Sequence, residues 1–104
     1  MYSIGEFSII SSLTVKALRH YHDKDILIPS CVNEDSGYRY YSAKDLDKAR
    51  VITTLKSFQF SLEEIATFLR EMDNDSDVVH ALKLKKEQID LDIKNLKNVT
   101  SAIN

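Results

Sequence analysis

Lys16 and Arg19 lie three residues apart, and Arg39 stands between Tyr38 and Tyr40. A guanidinium meets phosphate oxygens as a planar fork, and an ammonium meets them as a point charge. A tyrosine offers a flat apolar ring with a polar tip. Together these groups suit a polyanion with flat, stackable edges, which is DNA. Other chemistry finds less support. Cys31 with His20 or His22 lacks the motif that activates a nucleophile and base pair. Glu63 and Glu64 open a helix, where they suit its dipole and cap. The only glycines are Gly5 and Gly37, so there is no glycine-rich phosphate loop. Cys31 is the single cysteine and has no local metal-ligand partner, and a buried or half-buried inert thiol is expected. No enzyme activity, cofactor or metal is expected.

Capping signals place the elements that must hold these groups. Ser3 with Glu6, Ser42 with Asp45 and Ser61 with Glu64 each read as a capping box, in which serine and acid satisfy each other's free backbone N–H groups. Thr14 caps a second helix over about Val15 to Asp23, with Leu13 before it as a staple residue. Ile10 to Leu13 is then the turn of a helix-turn-helix. Val15, Leu18 and Tyr21 share one face of the second helix, the core face, which leaves Lys16, Arg19 and His20 outside. Asn33 to Gly37 reads as a turn between Cys31-Val32 and Tyr38 to Tyr41, which pair as a hairpin wing. Alternation puts Arg39 on one face of that wing and Tyr38 and Tyr40 on the other, with Tyr41 in the core. A third helix, Ala43 to Ser57, turns Leu46, Ala49, Leu55 and either Val51 or Ile52 inward. A fourth, Leu62 to Glu71, turns Ile65, Phe68 and Leu69 inward.

The boundary at Asp73 to Asp77 separates two domains, 1–72 and 76–104. Beyond it Val79, Leu82, Lys86, Ile89, Ile93, Leu96, Thr100 and Ile103 alternate by three and four, the stripe of a long coiled-coil helix. Such a stripe implies a dimer. Lys86 and Thr100 in the seam would set register and favour an antiparallel pairing.

The 104 residues carry a net charge of −2. Residues 1–60 hold eight Lys/Arg and seven Asp/Glu, and residues 61–104 hold six and nine. The acid excess lies in the second part, so local basic contacts to phosphate remain open to the first. No apolar run approaches the ~18 residues of a membrane span, and no signal peptide is visible. A cytoplasmic protein is expected, with His22 and His80 as surface residues.

Several blocks in order carry a resemblance. They are Tyr2-Ser3-Ile4-Gly5-Glu6-Phe7, Leu18-Arg19-His20-Tyr21, Gly37-Tyr38-Arg39-Tyr40-Tyr41-Ser42 and Phe60-Ser61-Leu62-Glu63-Glu64-Ile65. With these the chain resembles the MerR family of transcriptional regulators, most of all its multidrug-responsive branch. The resemblance implies a mainly α fold, a winged helix-turn-helix with a small β-hairpin wing, and a long helix that pairs antiparallel in a homodimer. It implies binding to double-stranded promoter DNA at a palindromic operator, distortion of that DNA, and an indirect action on RNA polymerase at the promoter. Two departures stand out. His20 replaces an aromatic residue common in the family, and the chain ends near the end of the dimerisation helix. The expectation is a truncated form without its effector domain, with a regulator that has no such domain as the alternative.

The expected DNA-facing set is Thr14, Val15, Lys16, Arg19, His20 and Tyr21 from the second helix, Gly37, Tyr38, Arg39 and Tyr40 from the hairpin, and Lys56 from the third helix. Thr14 and Val15 lie nearest base edges, although Val15 is equally readable as core. Arg39 and Lys56 are assigned to phosphate. Val79, Leu82, Lys86, Ile89, Ile93, Leu96 and Ile103 form the expected dimer seam. The alternative reading is a protein-interaction module that uses the winged helix and heptad helix without DNA.

Overall fold

The computed structural model describes residues 1–71 and 74–104; Met72, the last residue of the first expected domain, and Asp73, the start of the expected boundary, lie outside them. The elements run β1 (Tyr2–Ser3), α1 (Ile4–Ser11), α2 (Val15–Asp23), β2 (Cys31–Val32), β3 (Arg39–Tyr41), α3 (Ala43–Ser57), α4 (Leu62–Glu71) and α5 (Asp75–Ile103). The chain forms two compact units, Met1–Leu69 and Arg70–Asn104. No helix among the described residues is long and apolar enough to cross a membrane.

The caps start the helices where the sequence places them. Ser3 and Glu6 form a complete box, as do Ser42 and Asp45. Ser61 Oγ accepts from Glu64 N at 3.1 Å and Glu64 Oε1 from Ser61 N at 2.9 Å. Thr14 Oγ1 accepts from Ala17 N at 3.0 Å. Each such cap contributes about 1 kcal/mol. Ser3 also holds the Glu6 carboxyl below its ordinary range, first through its backbone N–H and then through its hydroxyl.

The turn between α1 and α2 is tighter than expected. α1 runs on through Ser11, and Ser12 ends it in the left-handed conformation with φ 60°. The Ser8 hydroxyl donates to the Leu13 carbonyl at 2.6 Å, and Ser11 Oγ accepts from Leu13 N at 3.2 Å. Serine hydroxyls thus stabilise a reversal that glycine makes elsewhere.

The wing is a three-stranded sheet in the order β1-β3-β2, antiparallel throughout. Tyr41 pairs with Tyr2, Tyr40 with both Ser3 and Cys31, and Arg39 with Val32. The expected hairpin is therefore present, with a third strand added from the N-terminus. Its turn is set by Asn33, whose Oδ1 accepts from Asp35 N and Ser36 N at 3.0 Å each, and by Gly37 at φ 75°. The strand begins at Arg39, so Tyr38 lies outside it and is 67% exposed, whereas Tyr40 is half-buried. Cys31 is exposed, contrary to expectation, because it lies on a two-residue edge strand whose side chains both meet solvent.

The core of the first unit is made by Phe7, Leu18, Leu27, Tyr41, Ile52 and Ile65, all fully buried. Tyr21, Ile26, Ala49, Leu55 and Phe60 complete it, and Ile52 rather than Val51 takes the inward place on α3. Leu46, Phe68 and Leu69 are half-buried. Phe60 meets Phe68 edge to face at 6.3 Å. A buried carboxylate, Asp45, fixes the start of α3. Its Oδ2 accepts from Ser42 N at 2.8 Å and lies 2.7 Å from the Ser30 hydroxyl. The segment after Pro29 is thereby tied to the helix it precedes.

The second unit holds the 29-residue α5, none of whose described residues is buried. Along the expected seam Leu82 and Ile89 are half-buried, while Val79, Ile93, Leu96 and Ile103 are exposed. Lys86 pairs with Asp90 one turn on, at 2.9 Å. Leu84, Leu91 and Val99 are exposed outside that stripe, a second set of apolar positions that the heptad reading omits.

Candidate nucleic-acid interface

The N-terminal turn of α2 presents Thr14 and Lys16 to solvent, with Val15 half-buried behind them. Thr14 Oγ1 is occupied as a cap acceptor. Its O–H hydrogen can still be donated and its methyl can still be packed. Val15 thus stands between its two readings. Lys16, Arg19 and His20 share the outward face at spacings of three and four, and all are exposed. Among the described residues neither Lys16 nor Arg19 is held in an ion pair.

Arg19 and the wing meet at one concavity of about 300 Å³. Its walls are Arg19 from α2, Gly37, Tyr38, Arg39 and Tyr40 from the wing, and Ser3, Ile4 and Gly5 where β1 becomes α1. Two guanidinium-bearing residues on separate elements thus border one hollow. Ile4 and Gly5 occupy the first positions of a helix, where backbone N–H groups have no intrahelical acceptor. Two basic residues and a helix start, on three elements, therefore border the same hollow. An added Cβ at Gly37 would meet nothing within 4 Å, so within the chain glycine serves the backbone conformation there.

Arg39 is held by a residue of α2. Its Nε donates to His22 Nδ1 at 2.8 Å, and both side chains are half-buried. His22 is therefore not the plain surface residue expected. Its partner lies 17 residues away on another element, and no local pattern announces it.

Lys56 and Tyr21 form a second pair. Lys56 Nζ donates to the Tyr21 hydroxyl at 3.5 Å and lies 6.0 Å from the centre of the ring. Lys56 is exposed. Tyr21 is only 2% exposed. Its ring belongs to the core face shared with Leu18, leaving the hydroxyl end as the part tied to Lys56. His20, beside it, is exposed, with its ring 6.4 Å from that of Tyr21.

The concavity brings together Arg19, Gly37, Tyr38, Arg39 and Tyr40 of the expected set. Thr14, Val15, Lys16, His20 and Lys56 lie outside its lining. Ser3, Ile4 and Gly5 were not expected there. The cap at Ser3 was legible, but its position against the wing depends on the pairing of β1 with β3.

Comparison with known proteins agrees with this geometry. Residues 2–72 match the model of the MerR HTH family regulatory protein. The multidrug-efflux transporter 1 regulator of Bacillus subtilis is 41% identical over 64 residues, covering 62% of this chain and 23% of that protein. The crystal structure of MtaN, the N-terminus of the Bacillus subtilis multidrug transporter activator, superposes with a TM-score of 0.87 at 29% identity, covering 99% of this chain and 94% of that one. A regulator seen in a cryo-EM structure of an EcmrR–DNA complex superposes with a TM-score of 0.84 at 30% identity, covering 98% of this chain and 37% of that one. The chain spans between 23% and 39% of the length of the first curated relatives it matches. It belongs to the MerR family of helix-turn-helix regulatory proteins.

Proposed function

We propose that this chain is the promoter-binding and dimerising part of a transcriptional regulator. It binds a near-palindromic operator as a homodimer, distorts the duplex, and acts through that distortion on RNA polymerase. The observation that carries this reading is the concavity bordered by Arg19 of the recognition helix and Arg39 of the wing. It supports a phosphate held between the two elements, which would fix the register in which the α2 N-terminus enters the major groove. Thr14, Val15 and Lys16 are the residues at that N-terminus. His20, the Tyr21 hydroxyl with Lys56, and Tyr38 flank them. The homodimer rests on the apolar stripe of α5. The domains proposed for the two tasks are residues 1–72 and 76–104.

The test is binding to an operator recovered by selection from random duplexes, with mixed-sequence DNA as the comparison. Arg39→Ala and Lys56→Ala weaken binding to both DNAs alike, and each lowers the salt slope by about one contact. Lys16→Ala costs more on the operator than on mixed DNA. Failure to bind any duplex at low salt would leave the protein-interaction reading in its place.

A further inference from the structure

We propose that His22 is a positioning residue for DNA binding, one that holds the Arg39 guanidinium so that both its Nη groups face a phosphate. The inference rests on the reading of Arg39 as a phosphate contact. His22 lies in the last turn of α2 and Arg39 opens β3, so their 2.8 Å bond joins the recognition helix to the wing strand.

The chemistry of the bond defines the arrangement. Arginine has donors only, so His22 Nδ1 is the acceptor and carries no proton. The neutral ring then carries its proton on Nε2. Bonding through Nε occupies the single side donor of the guanidinium and leaves the terminal fork unused. That fork is the part that meets two phosphate oxygens at once. The lining of the concavity includes Arg39 but not His22, so the bond to the histidine does not place the ring among the walls of that hollow. An arginine already restrained in this way gives up less side-chain freedom when phosphate arrives. The bond also couples two contacts, because a shift of the wing moves a residue anchored on the recognition helix.

Two substitutions separate positioning from plain packing. His22→Asn places Oδ1 at the branch position of Nδ1 and keeps an acceptor. His22→Phe keeps the ring and removes it. Affinity is measured by fluorescence anisotropy on a mixed-sequence duplex for these variants, for Arg39→Ala, and for Arg39→Ala combined with His22→Phe. His22→Phe should lose about threefold to tenfold, and His22→Asn should stay within about twofold of the parent. In the Arg39→Ala background His22→Phe should cost nothing further. An equal loss in both backgrounds, or a loss with Asn equal to that with Phe, overturns the proposal while leaving Arg39 as a DNA contact. No loss with Arg39→Ala alone overturns the underlying reading, and this proposal with it. A measurement on the unsubstituted protein stands apart from any folding defect. Long-range nitrogen–proton NMR correlations of the His22 ring should report the proton on Nε2, and a proton on Nδ1 in the neutral ring would overturn the bond.

Discussion

The rings of Phe7 and Tyr41 stack with their centres 4.4 Å apart and their planes 12° apart. Phe7 comes from α1 and Tyr41 closes β3, and neither ring is exposed. The pair fastens the first helix of the helix-turn-helix to the central strand of the wing. Such a pair contributes about 0.5–1.5 kcal/mol beyond the area it buries. The concavity bordered by Arg19 and Arg39 also takes its walls from the start of α1 and from the wing.

Tyr41 carries a cost with its ring. Its buried hydroxyl has no hydrogen-bond partner among the described residues. Burial raises its pKa above the ordinary tyrosine range, Asp45 adds to that, and Arg39 opposes it. Tyr41→Phe keeps the stack and removes the unpaired group, so stability should be unchanged or higher by about 1–2 kcal/mol. Tyr41→Ala should cost about 3–5 kcal/mol. Because the folded pKa is raised, the parent's stability is complete below the unfolded value and is lost as pH rises through the folded one. The Phe variant should lack that alkaline component. Urea titrations at neutral and alkaline pH check both points, and a Phe variant less stable by more than about 1 kcal/mol would mean the hydroxyl is satisfied after all.

Asp45 should matter more than a cap of its kind usually does. Its Oδ2 serves the Ser42 N–H and lies against the Ser30 hydroxyl, inside the protein. Asp45→Ala removes the shared acceptor and should cost about 1–2 kcal/mol, since the half-buried Ser42 N–H loses its partner. Asp45→Asn retains one carbonyl oxygen and should cost about half as much. Hydrogen exchange at the Ser42 amide should quicken in the Ala variant. Equal losses for the two substitutions would show that acceptor geometry is not what Asp45 supplies.

The fold was legible wherever its signals were local. Capping residues lie within three positions of their partners, and α2, α3 and α4 begin and end where those signals place them. β1 was not legible, because two residues show no alternation and the strand exists only through its pairing with Tyr40 and Tyr41. The same limit governs the site. Lys16 and Arg19 could be placed outside from helical spacing alone. The bond from Arg39 to His22, and the entry of Ser3 to Gly5 into the concavity, depend on how distant segments meet. Cys31 and Tyr38 were misplaced for a related reason. Their types suit a packed strand, but one lies on an edge and the other falls just outside the ladder.

Gly37 offers a test of backbone against contact. It holds φ at 75°, and an added Cβ would meet no neighbour within 4 Å. Gly37→Ala should therefore cost only the left-handed conformation, about 1–2 kcal/mol, and Gly37→Asn less. Thermal unfolding of both variants reads the difference. Equal melting points for Gly, Asn and Ala would show that the turn can be made another way.

The long helix makes the final prediction. α5 carries Ile93, Leu96 and Ile103 at 46%, 65% and 80% exposure, and no described residue along its 29 is buried. A lone chain that leaves such a stripe in water forgoes the gain of covering it. Lys86 pairs with Asp90 of its own helix, so a cation in the expected seam would not be left unpaired. Sedimentation at micromolar concentration should therefore report twice the chain's mass. Ile93→Lys with Leu96→Lys should return a monomer, because two like charges would then oppose an apolar partner face. The first unit has its own caps and core, so its folding, read by the alkaline response of Tyr41, should survive. Operator affinity should fall by about a hundredfold or more in the monomer, since each half-site must then be bound without help from the other. A wild-type monomer, or a double Lys variant that stays dimeric, would place the subunit contact away from this stripe.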